Sequence, residues 1–388
     1  MSDLKLNGIT PSAISLGSSS VQKIYNGSTL VWPVGVSPSG PDPYTPIYGV
    51  LNFFATKFRS GSSNEIIMYD SSFQEIEPDV SFGILPINRV LVGVSDNYQY
   101  MVACSDDNNA SESNILISQD YGVNFDAPTS GAFNAYHPNV KVSRSGKTIL
   151  AVDNTSNDIN NYIFKISNNY GSTFTQVSLP GVNSIIGITC CSISGDGKYI
   201  GLCARVFNTL GSAVYKSFFS KDYGVSWNDL EEAAGANQNK IFQVTQSTNG
   251  EELVFINIQD SNQKIYSIDY ATTFQTTSYT SPPMASFLNN KESSVSYDNQ
   301  YYAFGWDGYL VYFGNNGVTQ QPTLSIPFDS SLASSIFVSN SGEYIFFSGS
   351  SSSTRDYKYS SNYGLNFTSG DIGNTGLIAP FLAAEITI

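Results

Sequence analysis

Five short turns in this chain each place a carboxylate or an amide where it could take part in chemistry. In residues 220–227, Ser220 is followed by Asp222, Gly224 and Trp227. An aspartate in such a turn could act as a general acid or base, or could bind calcium through its oxygen atoms. The same arrangement is typical of a tight hairpin turn, in which the Asp oxygens accept hydrogen bonds from backbone amides and glycine supplies a positive φ. We expect the structural role, with the aromatic residue buried behind the turn.

The turn recurs along the chain at a nearly constant period. The positions equivalent to Gly224 are separated by 49, 53, 47 and 93 residues, with Ala271 at one of them. The long interval accommodates a degenerate copy at residues 313–319, and another lies at residues 68–73, so that the total is seven. One turn copied along a chain predicts one structural unit copied along the chain. The residues assigned a structural role in these turns are Asp120, Gly122, Asn169, Gly171, Asp222, Gly224, Asp269, Asn362 and Gly364.

Four residues in the variable loops are candidates for ligand binding. Trp306 and Asp307 lie at the tip of a short predicted hairpin. An exposed Trp can stack on a sugar ring, and the alternative is that the ring folds back and packs on the protein. Tyr136 and His137 occupy another loop and are further candidates. We expect these loops to lie on the face opposite the turns.

The composition disfavours metal, cofactor and nucleic-acid chemistry. The chain has a single histidine, and its cysteines have neither metal-ligand nor disulfide spacing, so we predict no metal, no cofactor and buried reduced thiols. A formal net charge of −14 with five scattered arginines disfavours nucleic acid as a partner. The cysteines are Cys104, Cys190, Cys191 and Cys203.

The elements that must position these residues are predicted to be strands and turns. Aromatic residues make up 13% of the chain and charged residues only 13%, which favours strands over helices. A second motif, Ser-x-x-Gly before an apolar strand, begins at Ser194. Each repeat is therefore predicted to contain strands A to D, joined by this A–B turn, a B–C loop, the Asp-containing C–D turn and a D–A loop. The relatives of Ser194 are Ser95, Ser143, Ser247, Ser296 and Ser339.

The two ends of the repeat region predict a closed ring. The first repeat begins directly with a B strand at about Tyr48, and the chain ends in an apolar strand at residues 377–388 that no further repeat follows. The last strand can therefore serve as strand A of the first unit, which leaves no open sheet edge. We predict an all-β fold, a seven-bladed β-propeller of four-stranded antiparallel blades over residues 48–388. An open β-solenoid is the competing repeat fold.

The first 33 residues are predicted to form a separate hairpin module. Residues 22–32 read as two short strands around Asn26 and Gly27, the preferred dipeptide of a two-residue turn. Residues 34–47 contain several Pro and Gly residues and are predicted to be an extended linker. We find no signal peptide and no apolar run long enough to span a membrane.

The five turns resemble the Asp-box, or BNR, repeat of sialidase-like propellers, written Ser-x-Asp-x-Gly-x-Thr-Trp. The resemblance implies that the turns are structural devices on the periphery of the ring. Sialidases also carry an early Arg-Ile-Pro and an Arg triad. This chain has no Arg-Ile-Pro, and its arginines show no convergence. We therefore predict that the protein is not an enzyme, although a carboxylate pair contributed by distant blades stays open as an alternative.

The N-terminal module resembles the short Lys-Ile-Tyr-x-Gly-x-x-x-Val-Trp segment that opens many tailed-bacteriophage virion proteins. The resemblance covers about 20 residues and implies attachment to other virion proteins through residues 1–46, with assembly in the host cytoplasm and a multimeric state on the particle. The alternative is a hairpin that matches by chance. The residues to which attachment is assigned are Ile24, Tyr25, Asn26, Gly27, Val31 and Trp32.

These patterns together predict a non-enzymatic bacteriophage virion structural protein. It would decorate a capsid, neck or tail, or form part of a fibre, and would display a propeller for host adhesion. A host cell-surface glycan or receptor is a further expected partner, and membrane insertion is not expected. The alternative is a sialidase-like propeller that binds or cleaves glycans. A third reading is an assembly scaffold whose propeller binds only protein.

Overall fold

The structure is a computed structural model with antiparallel β-sheets throughout its described part. Besides strands, the described residues contain one turn of 3-10 helix, Asp96–Tyr98, and one short helix, α1 (Leu230–Ala234). No helix that the structure describes is long and apolar enough to cross a membrane. The residues that the structure describes are 14–16, 19–21, 24–26, 29–32, 50–59, 63–70, 75–76, 82–83, 85–86, 89–105, 115–131, 139–154, 162–234, 242–257, 263–278, 293–297, 301–306, 309–314, 324–327, 333–349, 356–371 and 382–386.

The described strands pair with one another in antiparallel fashion. In chain order they are β1 (Ile14–Leu16), β2 (Ser19–Val21), β3 (Ile24–Asn26), β4 (Thr29–Trp32), β5 (Val50–Arg59), β6 (Ser63–Tyr69), β7 (Glu75–Ile76), β8 (Leu85–Pro86), β9 (Arg89–Val94), β10 (Met101–Ser105), β11 (Ile115–Ser118), β12 (Asn139–Val142), β13 (Ile149–Asn154), β14 (Tyr162–Ser167), β15 (Thr175–Gln176), β16 (Val182–Ile193), β17 (Ile200–Asn208), β18 (Ala213–Ser220), β19 (Asn228–Asp229), β20 (Phe242–Gln246), β21 (Leu253–Asn257), β22 (Gln263–Ser267), β23 (Gln275–Ser278), β24 (Ser293–Val295), β25 (Tyr301–Trp306), β26 (Tyr309–Gly314), β27 (Leu324–Pro327), β28 (Ala333–Val338), β29 (Ile345–Gly349), β30 (Asp356–Ser360), β31 (Thr368–Asp371) and β32 (Leu382–Ile386).

Five sheets in the described residues have four or more strands. One has eight strands, from β12 to β19, and one has five, in which β32 lies beside β5 and is followed by β6, β7 and β8. Three have four strands each, β20–β23, β24–β27 and β28–β31, and a further sheet has three, β9–β11. Units of four antiparallel strands packed face to face are the arrangement of a β-propeller.

The expected seven separate four-stranded blades are therefore confirmed only in part. The eight-stranded sheet is continuous because a single pairing, Tyr162 with Ile185, links β14 to β16. The three-stranded sheet lacks a fourth strand because the segment beyond β11 pairs with it only at an isolated bridge, Ile117 with Asp126. The number of sheets with four or more strands is five, not seven.

The hydrophobic core is divided into clusters that lie between neighbouring groups of strands. Leu150 and Phe164 of β13 and β14 pack with Leu202 and Phe218 of β17 and β18, and all four side chains are buried. Such clusters form because alternate residues of a strand point to opposite faces, so that each sheet has apolar residues on both sides. All four cysteines are buried as well, which confirms the prediction of buried thiols.

Glycines in the turns allow neighbouring sheets to approach closely. A Cβ atom at Gly146 would lie 2.3 Å from the ring of Tyr100, and one at Gly342 would lie 2.0 Å from the ring of Tyr301. A Cβ atom at Gly250 would lie 2.3 Å from the ring of Tyr199. In each case the glycine belongs to the A–B turn of the next sheet along the chain. A side chain at these positions would displace a tyrosine ring.

The N-terminal hairpin has a different register from the one expected. Asn26 pairs with Thr29, so Gly27 and Ser28 connect the strands, whereas the sequence suggested Asn26 and Gly27. A second short hairpin, β1 with β2, precedes it. The boundaries at residues 33 and 47 stay predictions. At the other end, β32 pairs antiparallel with β5 from Leu382–Phe54 to Ile386–Val50.

Candidate functional site

The five clear turns, which we call the repeat turns, are residues 118–125, 167–174, 220–227, 267–274 and 360–367. In the third, Ser220 Oγ donates a hydrogen bond of 2.9 Å to Asp222 Oδ1 and accepts one of 2.9 Å from the Gly224 amide. The same carboxylate accepts a hydrogen bond of 2.9 Å from the backbone amide of Ser226. The first turn repeats this pattern, with distances of 2.8, 2.9 and 3.0 Å. The Asp oxygens are therefore occupied by their own turn.

The acidity of the turn carboxylates agrees with a structural role. The backbone amide of Thr273, followed by its hydroxyl and that of Ser267, lowers the pKa of Asp269 to about 2. Burial raises the pKa of Asp222, but the hydrogen bonds from Ser226, Ser220 and Val225 outweigh it and leave the pKa below its ordinary value. A general acid at neutral pH needs a raised pKa, so these carboxylates are unsuited to that task.

The repeat turns and the A–B turns lie on one face of the molecule, which we call the turn face. The backbone amide of Tyr223 donates a 2.9 Å hydrogen bond to the carbonyl of Lys198 in the A–B turn of the same sheet. Tyr121, Tyr170, Tyr270 and Tyr363 donate equivalent hydrogen bonds, each of 3.0 Å. The described D–A connection 177–181 and the described B–C connection 209–212 join the other ends of their strands, on the opposite face, which we call the loop face.

The A–B turns are hydrogen-bonded to one another across sheets. The Asp96 amide donates to the Arg144 carbonyl at 2.7 Å, the Ser145 amide to Gly195 at 2.9 Å and the Gly195 amide to Thr248 at 2.7 Å. The Tyr297 amide likewise donates to the carbonyl of Asn340 at 2.9 Å. Their backbone groups are therefore used within the fold rather than being available to a ligand.

One group of residues links three of these turns and is called the axial cluster: Asp96, Arg144, Phe337, Val338 and Asn340. The Arg144 guanidinium donates a hydrogen bond to the Val338 carbonyl and lies 4.7 Å from the centre of the Phe337 ring. Its Nη1 is 3.9 Å from Asp96 Oδ1, and Asn340 Nδ2 donates to Asp96 Oδ2 at 3.3 Å. The Asp96 side chain is only 4% exposed, so its charge depends on these partners.

The sequence-predicted ligand residues lie at or outside the limits of the described residues. Trp306 is the last residue of β25 and pairs with Tyr309, which confirms a hairpin there. Asp307, Tyr136 and His137 are outside the described residues, and the structure describes only the backbone of Trp306. These four residues are therefore not brought together by any described contact.

For the residues assigned to attachment, the structure describes only the strands in which they lie. Ile24, Tyr25 and Asn26 lie in β3, while Val31 and Trp32 lie in β4. Gly27 is outside the described residues. Their role in attachment stays a prediction.

Sequence reasoning missed the axial cluster and the exposed surface of β17. Asp96, Arg144 and Asn340 each directly follow the serine of an A–B turn, and this shared position was the available signal. Arg205 of β17 is exposed on the part of the strand near the loop face. Among the described residues, no group of three or more His, Cys, Asp or Glu side chains is placed to hold a metal ion.

No family model and no curated protein matches the chain. A solved structure with a similar fold is a candidate 6-phosphogluconolactonase from Bacteroides uniformis, with a TM-score of 0.53 at 15% identity over 87% of this chain and 100% of that one. A periplasmic gluconolactonase from Pseudomonas aeruginosa matches with a TM-score of 0.50 at 12% identity over 87% and 97%. A prolyl endopeptidase matches with a TM-score of 0.53 at 11% identity. The match covers 87% of this chain and 50% of that protein, so this chain spans about half of that protein's length. At these identities the similarity shows the fold.

The prediction of a non-enzymatic virion structural protein is wrong by this comparison. The solved structures that share the fold are described as lactonases and an endopeptidase, which are enzymes, and none of those named here is a virion protein. The prediction that the chain is not an enzyme conflicts with the description of these structures as enzymes. The conflict is weak, because the sequence identities are 15% or less. The resemblances to the Asp-box repeat and to phage attachment segments, the partners and the virion localisation are tested by none of these observations and stay predictions.

Proposed function

We propose that this protein is an enzyme-like, closed seven-bladed β-propeller that binds a small polar molecule on its loop face. The observation that carries the proposal is the axial cluster, in which Arg144 donates a hydrogen bond to the Val338 carbonyl and lies beside Asp96. The candidate activity to test first is hydrolysis of a sugar lactone.

A count of seven is supported by dividing the sheets where their hydrogen bonding is thinnest. The eight-stranded sheet separates at the single Tyr162–Ile185 pairing into β12–β15 and β16–β19. The three-stranded sheet gains a fourth strand at the Ile117–Asp126 bridge. The innermost strands then contact each other in the order β32, β9, β12, β16, β20, β24, β28 and back to β32, which supports a closed ring.

The axial cluster supports the assignment of the binding face. Arg144 follows β12, whereas Phe337 and Val338 belong to β28. In a ring of seven, the blades of these strands are not neighbours, so the guanidinium must reach across the ring axis to make this contact. A ligand in the central channel would consequently enter from the loop face, where propeller connections are longest and free to vary.

The charge of the chain favours an uncharged lactone over a phosphorylated one. The formal net charge is −14, and a phosphate group adds up to two further negative charges to the ligand. Long-range repulsion therefore opposes a sugar phosphate more strongly than the neutral lactone. The similarity to proteins described as a gluconolactonase and a candidate 6-phosphogluconolactonase supports testing both compounds.

The test is to follow acid release from gluconolactone and from 6-phosphogluconolactone in the presence of the purified full chain. We expect the protein to accelerate hydrolysis of the neutral lactone above its spontaneous rate. Hydrogen–deuterium exchange with gluconate present should show protection in residues on the loop face, such as 205–213. The variant Asp222→Asn, which changes a turn carboxylate only, should keep the activity.

Two results would contradict the proposal. The first is the absence of both acceleration and measurable binding of either lactone or gluconate. The second is protection confined to the turn face around residues 95–100 and 143–148, because the axial cluster would then be a binding site rather than a closure of the channel.

A further inference from the structure

We infer that the C-terminal half of β17 carries a binding site for a carboxylate attached to a ring, formed by Gly187, Arg205, Phe207 and Tyr215. We call these four residues the shelf. The site lies on the face of its sheet that turns toward β20–β23, near the loop face. The inference concerns binding and holds whether or not the protein hydrolyses lactones.

The shelf continues the face of β17 that carries Cys203. Cys203 is 2% exposed and packs with Val244 and Phe255 of the neighbouring strands. Arg205 lies two residues further along β17, so it points to the same face as Cys203, and it is exposed.

The register places the four residues in one patch. Arg205 pairs with Gly187 of β16 on one side and with Tyr215 of β18 on the other. Phe207 lies two residues along β17 and therefore on the same face as Arg205. The Arg205 guanidinium carbon is 5.9 Å from the centre of the Tyr215 ring, a distance at which the ring holds the cation by a cation–π contact.

The guanidinium has donors and space for a ligand. Among the residues that the structure describes, no ion pair to Arg205 is found, although the chain has 32 acidic residues against 18 basic ones. A guanidinium carries five N–H donors in a planar fork that matches a carboxylate with two parallel hydrogen bonds. On its other side, a Cβ atom built at Gly187 would meet nothing within 4 Å, so this part of the shelf is open.

Charge and shape select the ligand class. The shelf offers one positive charge in a chain of net charge −14, so a singly charged carboxylate is opposed less than a doubly charged phosphate. The Tyr215 ring lies beside the guanidinium and Phe207 is on the same face of β17, so both rings can pack against the body of the ligand. Aromatic faces suit the C–H surface of a sugar or another flat ring. A uronic acid combines these features.

The experiment compares three sugars that share a ring and differ at one substituent. Binding of glucose, glucuronate and glucose 6-phosphate to the full chain is measured by calorimetry or ligand-observed NMR at low ionic strength. We expect glucuronate to bind and the other two to bind at least about tenfold more weakly, because charge-assisted hydrogen bonds are worth that much. Tighter binding of glucose 6-phosphate, or equal binding of all three sugars, would overturn the inference.

Two variants and a matched control locate the binding. Arg205→Gln should weaken glucuronate binding at least about tenfold, and Gly187→Val should do so by filling the open space while leaving the arginine in place. Lys221→Gln makes the same change in net charge at an exposed position in a repeat turn, on the opposite face, and should bind as the unaltered protein does. Unchanged binding in Arg205→Gln, or equal loss in Lys221→Gln, would overturn the inference.

The two proposals fail in distinguishable ways. Loss of glucuronate binding in Arg205→Gln with an unchanged lactone rate places the shelf apart from the catalytic position. Lactone hydrolysis is measured on the same preparations, so its absence contradicts the proposed activity and leaves the glucuronate result standing.

Discussion

At the scale of single residues, the polar residue of each repeat turn acts through hydrogen bonding and not through charge. Asn169 accepts a 3.0 Å hydrogen bond from the Thr173 amide, as Asp120 does from the Asn124 amide. Asn362 makes the same contact with Asn366 at 3.0 Å. Because an amide oxygen can replace a carboxylate oxygen in this geometry, the negative charge is not needed to build the turn. It does make the Asp-containing turns sensitive to acid.

The first prediction concerns this acid sensitivity. Hydrogen bonds hold the pKa of Asp269 at about 2 and keep those of Asp120 and Asp222 below the ordinary value. A carboxyl group whose pKa is lower in the folded state stabilises the fold above its unfolded pKa, near pH 4, and this contribution is lost as the pH falls toward the folded pKa. We expect the triple variant Asp120→Asn, Asp222→Asn, Asp269→Asn to lose less stability than the unaltered protein between pH 5 and pH 2.

Thermal unfolding midpoints of the two proteins at several pH values provide the measurement. The informative quantity is the difference between the proteins at each pH, because other carboxylates affect both equally. A difference that does not change from pH 5 to pH 2 would show that the charge of the turn carboxylates contributes nothing.

At the scale of elements, each repeat turn is a packing device between sheets as well as a hairpin connection. Gly224 has φ of +76°, and a Cβ atom there would lie 2.1 Å from Cδ1 of Ile166 in the neighbouring strand β14. A Cβ atom at Gly171 would likewise lie 2.7 Å from Cγ1 of Ile117. The glycine is thus required twice, once for the backbone conformation and once for the close approach. Ala271 shows that a methyl group is tolerated at one copy, with φ of +54°.

The second prediction separates these two requirements with a matched pair of variants. Gly224→Ala and Gly211→Ala both place a methyl group at a positive φ, +76° and +77°, but nothing lies within 4 Å of a Cβ at Gly211. The backbone penalty should be about 1–2 kcal/mol in both. Overpacking against Ile166 should cost Gly224→Ala a further ~1–3 kcal/mol. Denaturant unfolding measures the difference, and equal destabilisation of the two variants would show that the contact with Ile166 is unimportant.

At the scale of the whole molecule, the sequence predicted what depends on local chemistry. The repeat turns and A–B turns were found because each needs a serine, a capping oxygen and glycine at fixed spacing. The extent of strand β16 was not found, since it starts at Val182 and not near Ile188, and bulges shift its register in three places. Bulges leave no periodic signal in a sequence.

The axial cluster escaped prediction for a different reason. Arg144 and Val338 are 194 residues apart, and only the arrangement of the sheets brings them into contact. The shelf residue Arg205 was recognised as a scattered arginine, but its place between Gly187 and Tyr215 depends on the register of β16 and β18 against β17. Such features follow from packing that no local pattern records.

The last prediction tests whether β32 completes the arrangement. Its pairing with β5 covers Phe53 and Phe54, which are both fully buried. Ending the chain after Phe381 removes β32, exposes these rings and leaves the hydrogen-bonding edge of β5 open to other chains. We expect the free energy of unfolding to fall by several kcal/mol, since two buried aromatic residues lose packing, together with self-association measured by light scattering.

Ending the chain after Ile386 instead keeps all of β32 and should leave stability and monodispersity unchanged. A synthetic peptide of residues 382–388 added to the shorter chain should restore the unfolding midpoint, because the vacant edge can pair with it in trans. A truncated chain as stable and monodisperse as the full one would show that the fold does not depend on this strand.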